Sequence, residues 1–187
     1  MKNKKIVSVV SIAVLVIIVL IATFFILQNR NVKIAGDVKN ITYKIANQSF
    51  DMKNGRAEVS IVPGSASKNV LSLFGEPVFG DLNGDGLVDA AVLLVNTSGG
   101  SGAFYYATLA INTGDGYKAT EAMYLGDRIA PQTVEIHDGR AVYNFAERKG
   151  TDPMTTPPSI GKSVWVNYDK ATGHIGEWVK GFEGESR

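Results

Sequence analysis

Four oxygen-bearing side chains fall within nine residues of the stretch GDLNGDGLVD: Asp81, Asn83, Asp85 and Asp89. Carboxylates this close repel, and the chemistry that converts the repulsion into attraction is that of a hard divalent cation. Calcium takes about six to eight oxygen ligands, often from a loop. Counted from Asp81, the side-chain oxygens occupy positions 1, 3, 5 and 9. Gly86 stands at position 6, where the turn is sharpest, and the Leu87 carbonyl falls at position 7. Position 12 is Val92, so the bidentate Glu of an EF-hand is missing, and an apolar strand-like run follows in place of a second helix. The expected metal ligands are therefore Asp81, Asn83, Asp85, Leu87 through its carbonyl, and Asp89, around a structural Ca2+. The competing reading is a polar turn that binds nothing.

Other chemistry is thinner. Gly161-Lys162-Ser163 has the ending of a phosphate loop, but Thr156 stands where that loop needs its first glycine, and a strand-like run follows in place of a helix. His137 and His174 are the only histidines, and neither sits in a nucleophile or zinc motif, so both read as surface residues. Asp127 and Arg128 in YLGDRIAP read as residues that pair with each other's neighbours and pin a turn; the alternative is a site shared with Asp152. Phe104, Tyr105, Tyr106, Trp165 and Trp178 read as core, with any exposed subset available as a binding face.

The elements that must position these residues are strands. ITYKIANQSFDMKNGRAEVSIV predicts three, broken at Asn47 and at Asn54-Gly55. NVLSLF is short and reads as a strand. AAVLLVN, directly after the acidic loop, is a continuous apolar run of the kind buried on both faces. AFYYATLAIN and YKATEAMYL follow, then hairpins turning at Asp138-Gly139 and around Lys170 to Gly173. The predicted fold is mainly β, one antiparallel domain built as a sandwich or a curled sheet of short hairpins. A Pro-rich loop, ERKGTDPMTTPPSIGKS, covers residues 147–163 and is long enough to carry function.

The other end of the chain has a different chemistry. Ile6 to Leu27 is 22 residues without a charge, preceded by Lys2, Lys4 and Lys5. As a helix that run spans about 33 Å, enough for a bilayer core, and the lysines keep the N-terminus cytoplasmic. The run is longer than a signal-peptide core, and no small-residue cleavage motif follows. The chain has no Cys, so it has neither a lipidated cysteine nor disulfides. The expected organisation is a cytoplasmic tail (1–5), a transmembrane signal anchor (6–27), a stalk (28–40), an extracytoplasmic β domain (41–182) and a tail (183–187). Residues 1–30 hold four of the 19 Lys and Arg and none of the 18 acids, leaving 15 against 18, a formal charge of −3. That removes the basic footprint of a nucleic-acid binder.

The run FGDLNGDGLVDAAVLLV resembles the FG-GAP-type calcium loop of integrin-like propellers and bacterial surface proteins, and the resemblance implies the same ligands named above. A propeller needs at least about four blades of about 40 residues, more than this chain holds, and only one copy of the loop is present. The order GDLNGDG, GGSG, FYY, LGDRIAP and a Pro-Pro-Ser loop is similar to LppP/LprE-type bacterial envelope lipoproteins. Their last loop carries Cys-Cys-Pro where this chain has Thr155-Thr156-Pro157-Pro158-Ser159, so no role of those cysteines transfers. The resulting expectation is a non-enzymatic binding or scaffolding module of the cell envelope. It is held to the membrane by its N-terminal helix and partnered by an envelope protein or glycan, not by nucleic acid. The alternative is an envelope hydrolase with its site near the 147–163 loop.

Overall fold

In the computed structural model the described residues, 36–179 apart from 63, 65 and 66, form short antiparallel strands and one 3-10 turn, Val38–Asn40. The expected tails at 1–5 and 183–187, the anchor at 6–27 and the stalk up to 35 lie outside the described residues. Among the described residues no helix is long and apolar enough to cross a membrane. The strands are β1 (Thr42–Ile45), β2 (Gln48–Asp51), β3 (Arg56–Ser60), β4 (Lys68–Leu73), β5 (Val78–Gly80), β6 (Asp89–Thr97), β7 (Phe104–Asn112), β8 (Tyr117–Ala119), β9 (Met123–Asp127), β10 (Ala130–His137), β11 (Arg140–Glu147), β12 (Ile160–Tyr168) and β13 (Ile175–Glu177).

The hairpin turns follow from residues that tolerate positive φ. Ala46-Asn47 (φ 46° and 67°), Asn54-Gly55 (51° and 79°) and Asp138-Gly139 (49° and 71°) put two successive residues in the left-handed region. Tight antiparallel hairpins need this to match the twist of their strands. The result is a β1–β2 ribbon, a sheet ordered β3-β4-β6-β7-β8, and a meander β10-β11-β12-β13. β4 and β5 share one flank of β6, on Leu94–Thr97 and on Asp89–Ala91. β8 and β9 share the far flank of β7 in the same way. The expected single run YKATEAMYL is therefore two strands. The break comes at Thr120, whose hydroxyl accepts the Leu109 amide while its own amide donates to the Leu109 carbonyl.

β6 and β7 are covered on both faces. Ala91, Leu93, Ala107, Leu109 and Ile111 join Tyr143, Phe145, Val164 and Val166 of the meander in one core cluster. Ala90, Val92, Leu94 and Ala110 point the other way, toward Tyr43, Ile45, Phe50 and Met52 of the ribbon, with Val38 at its margin. Period-two alternation sends successive residues to opposite layers, which is why AAVLLVN carries no polar face. The two layers are tied by Tyr143. Its hydroxyl lies 2.9 Å from the Thr108 carbonyl and 3.2 Å from the Val92 carbonyl, in full burial, and desolvation pushes its pKa well above the usual tyrosine value. Tyr143→Phe is expected to remove about 1 kcal/mol of stability and lower Tm by a few degrees, with an unchanged urea m-value. Equilibrium urea unfolding checks both.

Candidate functional site

The acidic loop turns its oxygens onto its own backbone. Asp81 Oδ1 accepts the amides of Gly84 (2.6 Å) and Asp85 (3.3 Å), and Oδ2 accepts Gly86 (3.0 Å). Asn83 Oδ1 accepts the Asp85 amide at 2.9 Å, and Asn83 Nδ2 donates to Asp85 Oδ2 at 2.9 Å. Asp85 Oδ1 accepts the Leu87 amide at 2.7 Å. Gly84 and Gly86, with φ 69° and 82°, allow the chain to curl around Asp81. Two neighbouring turns stand against this loop. A Cβ on Gly139 would lie 3.7 Å from the Asp81 carbonyl, and one on Gly84 would lie 3.5 Å from Lys170 Nζ.

Asp89 is placed differently from the other three. It is fully buried at the first position of β6. Its Oδ2 accepts the Leu82 amide at 2.9 Å and its Oδ1 the Asn112 amide at 2.8 Å. Burial raises its pKa, the two amides oppose that, and the Asp85 and Asp81 charges raise it further. Asn112 and the Tyr117 hydroxyl both donate to the Val88 carbonyl, so one buried polar cluster joins the acidic loop to the β7–β8 turn. Asp89→Asn would aim an amide NH2 at one of the two backbone N–H groups. A loss of about 1–3 kcal/mol is expected, read from a urea midpoint.

The donor set suits a hard cation in kind: carboxylates, a side-chain amide and a carbonyl. An ionised carboxylate offers about four lone-pair sites, and Asp85 has two of its sites occupied by hydrogen bonds within the loop. Among the described residues no group of three or more His, Asp or Glu side chains converges closely enough to hold a metal ion. The loop closes on its own amide donors, and an ion would add to that arrangement through Asp81, Asn83, Asp85 and the Leu87 carbonyl.

The remaining sequence candidates disperse. Asp127 accepts Arg128 through both carboxylate oxygens, at 3.1 and 3.0 Å from Nε and 2.6 Å from Nη2, and takes the Ala103 amide at 3.0 Å. The two pin a turn, as expected, but by pairing with each other and not with each other's neighbours; Arg128 itself has φ 49°. The irregular part of the Pro-rich loop runs only from 148 to 159, and Gly161-Lys162-Ser163 lies in β12 opposite Ala146, Phe145 and Asn144. Arg148 holds that loop by donating to the Thr156 and Arg128 carbonyls. His137 sits at the other end of β11 from it, roughly 24 Å away at strand rise. His174 borders a shallow depression of about 220 Å3 with Glu121 and Met123. Among the described residues neither imidazole is seen to hydrogen-bond a Ser or Thr hydroxyl.

One surface escaped the sequence reading. On the solvent side of the meander, Ser163 donates to Asn144 Oδ1 (2.6 Å), and Asn144 Nδ2 reaches Thr133 Oγ1 (2.8 Å) and Glu135 Oε1 (3.3 Å). Glu135 Oε2 meets His137 Nε2 at 2.7 Å, and this contact lowers the Glu135 pKa. Beside the row lie His137, Trp165 and Trp178, with ring centroids 6.0 and 5.8 Å apart, and the Arg140 guanidinium 4.5 Å over Trp178. Among the described residues Arg140 Nε and Trp178 Nε1 are buried without a hydrogen-bond acceptor. The alternation in TVEIH and SVWVN was the available signal; cross-strand register was the missing one.

The chain shows no significant match to protein-family models, to characterised proteins or to solved structures.

The Arg128 contact holds the Asp127 carboxyl below its ordinary value, helped by the Ala103 amide and opposed by partial burial. A depressed folded pKa contributes stability above the unfolded pKa, about 3.9, and that stability is lost as pH falls through the folded value. Asp127→Asn should therefore lower the midpoint at pH 7 and flatten the acid limb below about pH 4. Urea midpoints collected across that pH range check this.

Proposed function

We propose that this chain is a binding or scaffolding module of the cell envelope, held by its N-terminal apolar segment with the β domain outside the cytoplasm. The supporting observation is the solvent face of the meander. Polar side chains there are prearranged by hydrogen bonds beside two tryptophans. The acidic loop is the calcium site of this module. Asp81, Asn83, Asp85 and the Leu87 carbonyl hold the ion; Asp89, expected as a further ligand, is buried with both carboxylate oxygens on the Leu82 and Asn112 amides and contributes through its charge. The ion's role is structural: it neutralises the loop and fastens it to the start of β6. Without a bidentate Glu at position 12 the affinity is modest, with Kd on the order of 10⁻⁴–10⁻³ M, as in extracellular modules.

Two measurements test this reading. Protease added to intact cells should remove the β domain and leave a membrane fragment; full protection overturns the topology. For the ion, the detergent-solubilised chain is melted in EDTA and in calcium. At about ten times Kd, linkage gives roughly 1.4 kcal/mol, or about 3–6 °C in Tm for a domain of this size. Asp85→Ala should abolish the calcium-dependent shift; it also removes the bonds from Leu87 and Asn83, so the shift is read against the variant's own EDTA curve. Superimposable curves in EDTA and calcium, with no heat of binding by calorimetry, reduce the loop to a polar turn.

A further inference from the structure

We propose that the outer face of the β10–β13 meander is a saccharide-binding site that takes a neutral oligosaccharide, with Trp165 as the stacking platform. The inference rests on the reading of the chain as an envelope binding module and assigns its ligand class. Three observations carry it.

The first is the aromatic surface. Trp165 is partly exposed and lies between the rings of His137 and Trp178. An indole face is electron-rich and attracts the C–H face of a pyranose ring. The second is the row beside it. Ser163, Asn144, Thr133 and Glu135 are held in fixed orientations by their own hydrogen bonds. Hydroxyls and amides both donate and accept, as sugar hydroxyls do, and the Glu135 carboxylate adds a strong acceptor. A protein-docking patch has an apolar centre with a polar rim. Here the apolar area is two indoles, and polar groups run alongside them.

The third is an unmet need for oxygen. The buried side-chain nitrogens without an acceptor among the described residues, Arg140 Nε and Trp178 Nε1, both belong to this cluster. Trp178 follows the three-residue strand β13, and its amide donates to the Trp165 carbonyl at 2.7 Å, so the two indoles stand side by side and a ligand reaches these nitrogens by displacing the side chains that cover them. Hydroxyl or ring oxygens then supply the acceptors. Charge narrows the class. Arg140 and Glu135 carry opposite signs on the same face, so it has no net field for a nucleic acid or another polyanion.

The chain has two tryptophans, Trp165 and Trp178, so its intrinsic fluorescence reports on this face alone. The full chain in detergent is titrated with a β-linked N-acetylglucosamine tetramer and with a neutral glucan oligomer, and calorimetry runs in parallel. The expected result is a saturable change in tryptophan emission with at least one of them. Trp165→Leu should weaken binding by at least about tenfold, and Asn144→Ala several-fold, with Tm close to wild type. Should Trp165→Leu fail to fold, Asn144→Ala and Glu135→Gln carry the test from the solvent side. Neither signal from either sugar, or binding indifferent to all of these substitutions, overturns the saccharide assignment. In that event, wild-type and Asn144→Ala chains are cross-linked in intact envelopes. A protein adduct lost in the variant leaves the binding-module reading standing with a different ligand class, and no difference removes both.

Discussion

Everything in this domain depends on two neighbouring strands, β6 and β7, being dry on both sides. A strand pair in that position has no solvent face on which to place a mismatch. Its backbone groups must be paired along both flanks, and its side chains must suit two different layers. The short flanking strands meet the first demand: β4 and β5 divide one flank of β6, and β8 and β9 divide the far flank of β7. The second is met by small residues, Ala90, Ala91, Ala107 and Ala110, which let the ribbon and the meander approach closely. The polar atoms admitted to this interior are few and each has a partner. Thr108 meets Thr120, and Tyr143 reaches two carbonyls across the layer boundary.

Asp89 shows how the acidic loop is bound to that constraint. The loop has to deliver the chain into β6, and β6 begins buried. A carboxylate at the junction takes one amide from the incoming loop and one from the end of β7, so a single side chain joins three segments. The other acids of the motif face outward and serve the loop. Asp81 gathers three successive amides, the arrangement that two positive-φ glycines make available. The same residues thus build a turn whose carboxylates are engaged by its own amides.

The strands were legible in the sequence because the signals were local. Asn54-Gly55 and Asp138-Gly139 mark their turns, and the uninterrupted apolar run of β6 announces burial on two faces. β5 was not legible. It is three residues long and hidden in the approach to the acidic loop, and it is a strand only because β6 offers a free edge there. Thr120 likewise splits one apparent strand into two through a side-chain hydrogen bond that no propensity encodes. The acidic motif was visible by spacing, but the division of labour between Asp89 and its neighbours was not, since it turns on contacts with Asn112, 23 positions away in sequence. The row on the meander was invisible for a related reason. Its members lie on three strands and become neighbours only once the register sets Asn144 opposite both Thr133 and Ser163.

The order of the strands has a consequence for how the chain reaches this state. β1 pairs with β2, β3 with β4, and β10 through β13 pair strictly in sequence; β4 with β6 and β7 with β9 each skip a single strand, and among the described residues the distant backbone link is the bridge of Lys44 to Glu121. Loop-closure entropy is therefore met in small instalments, and topologies dominated by such nearby pairings fold faster than those that must join distant segments. A chain released N-terminus first can form the ribbon, then each flank of β6 and β7, then the meander, in the order in which they emerge. No early strand has to wait for the last one to find its partner.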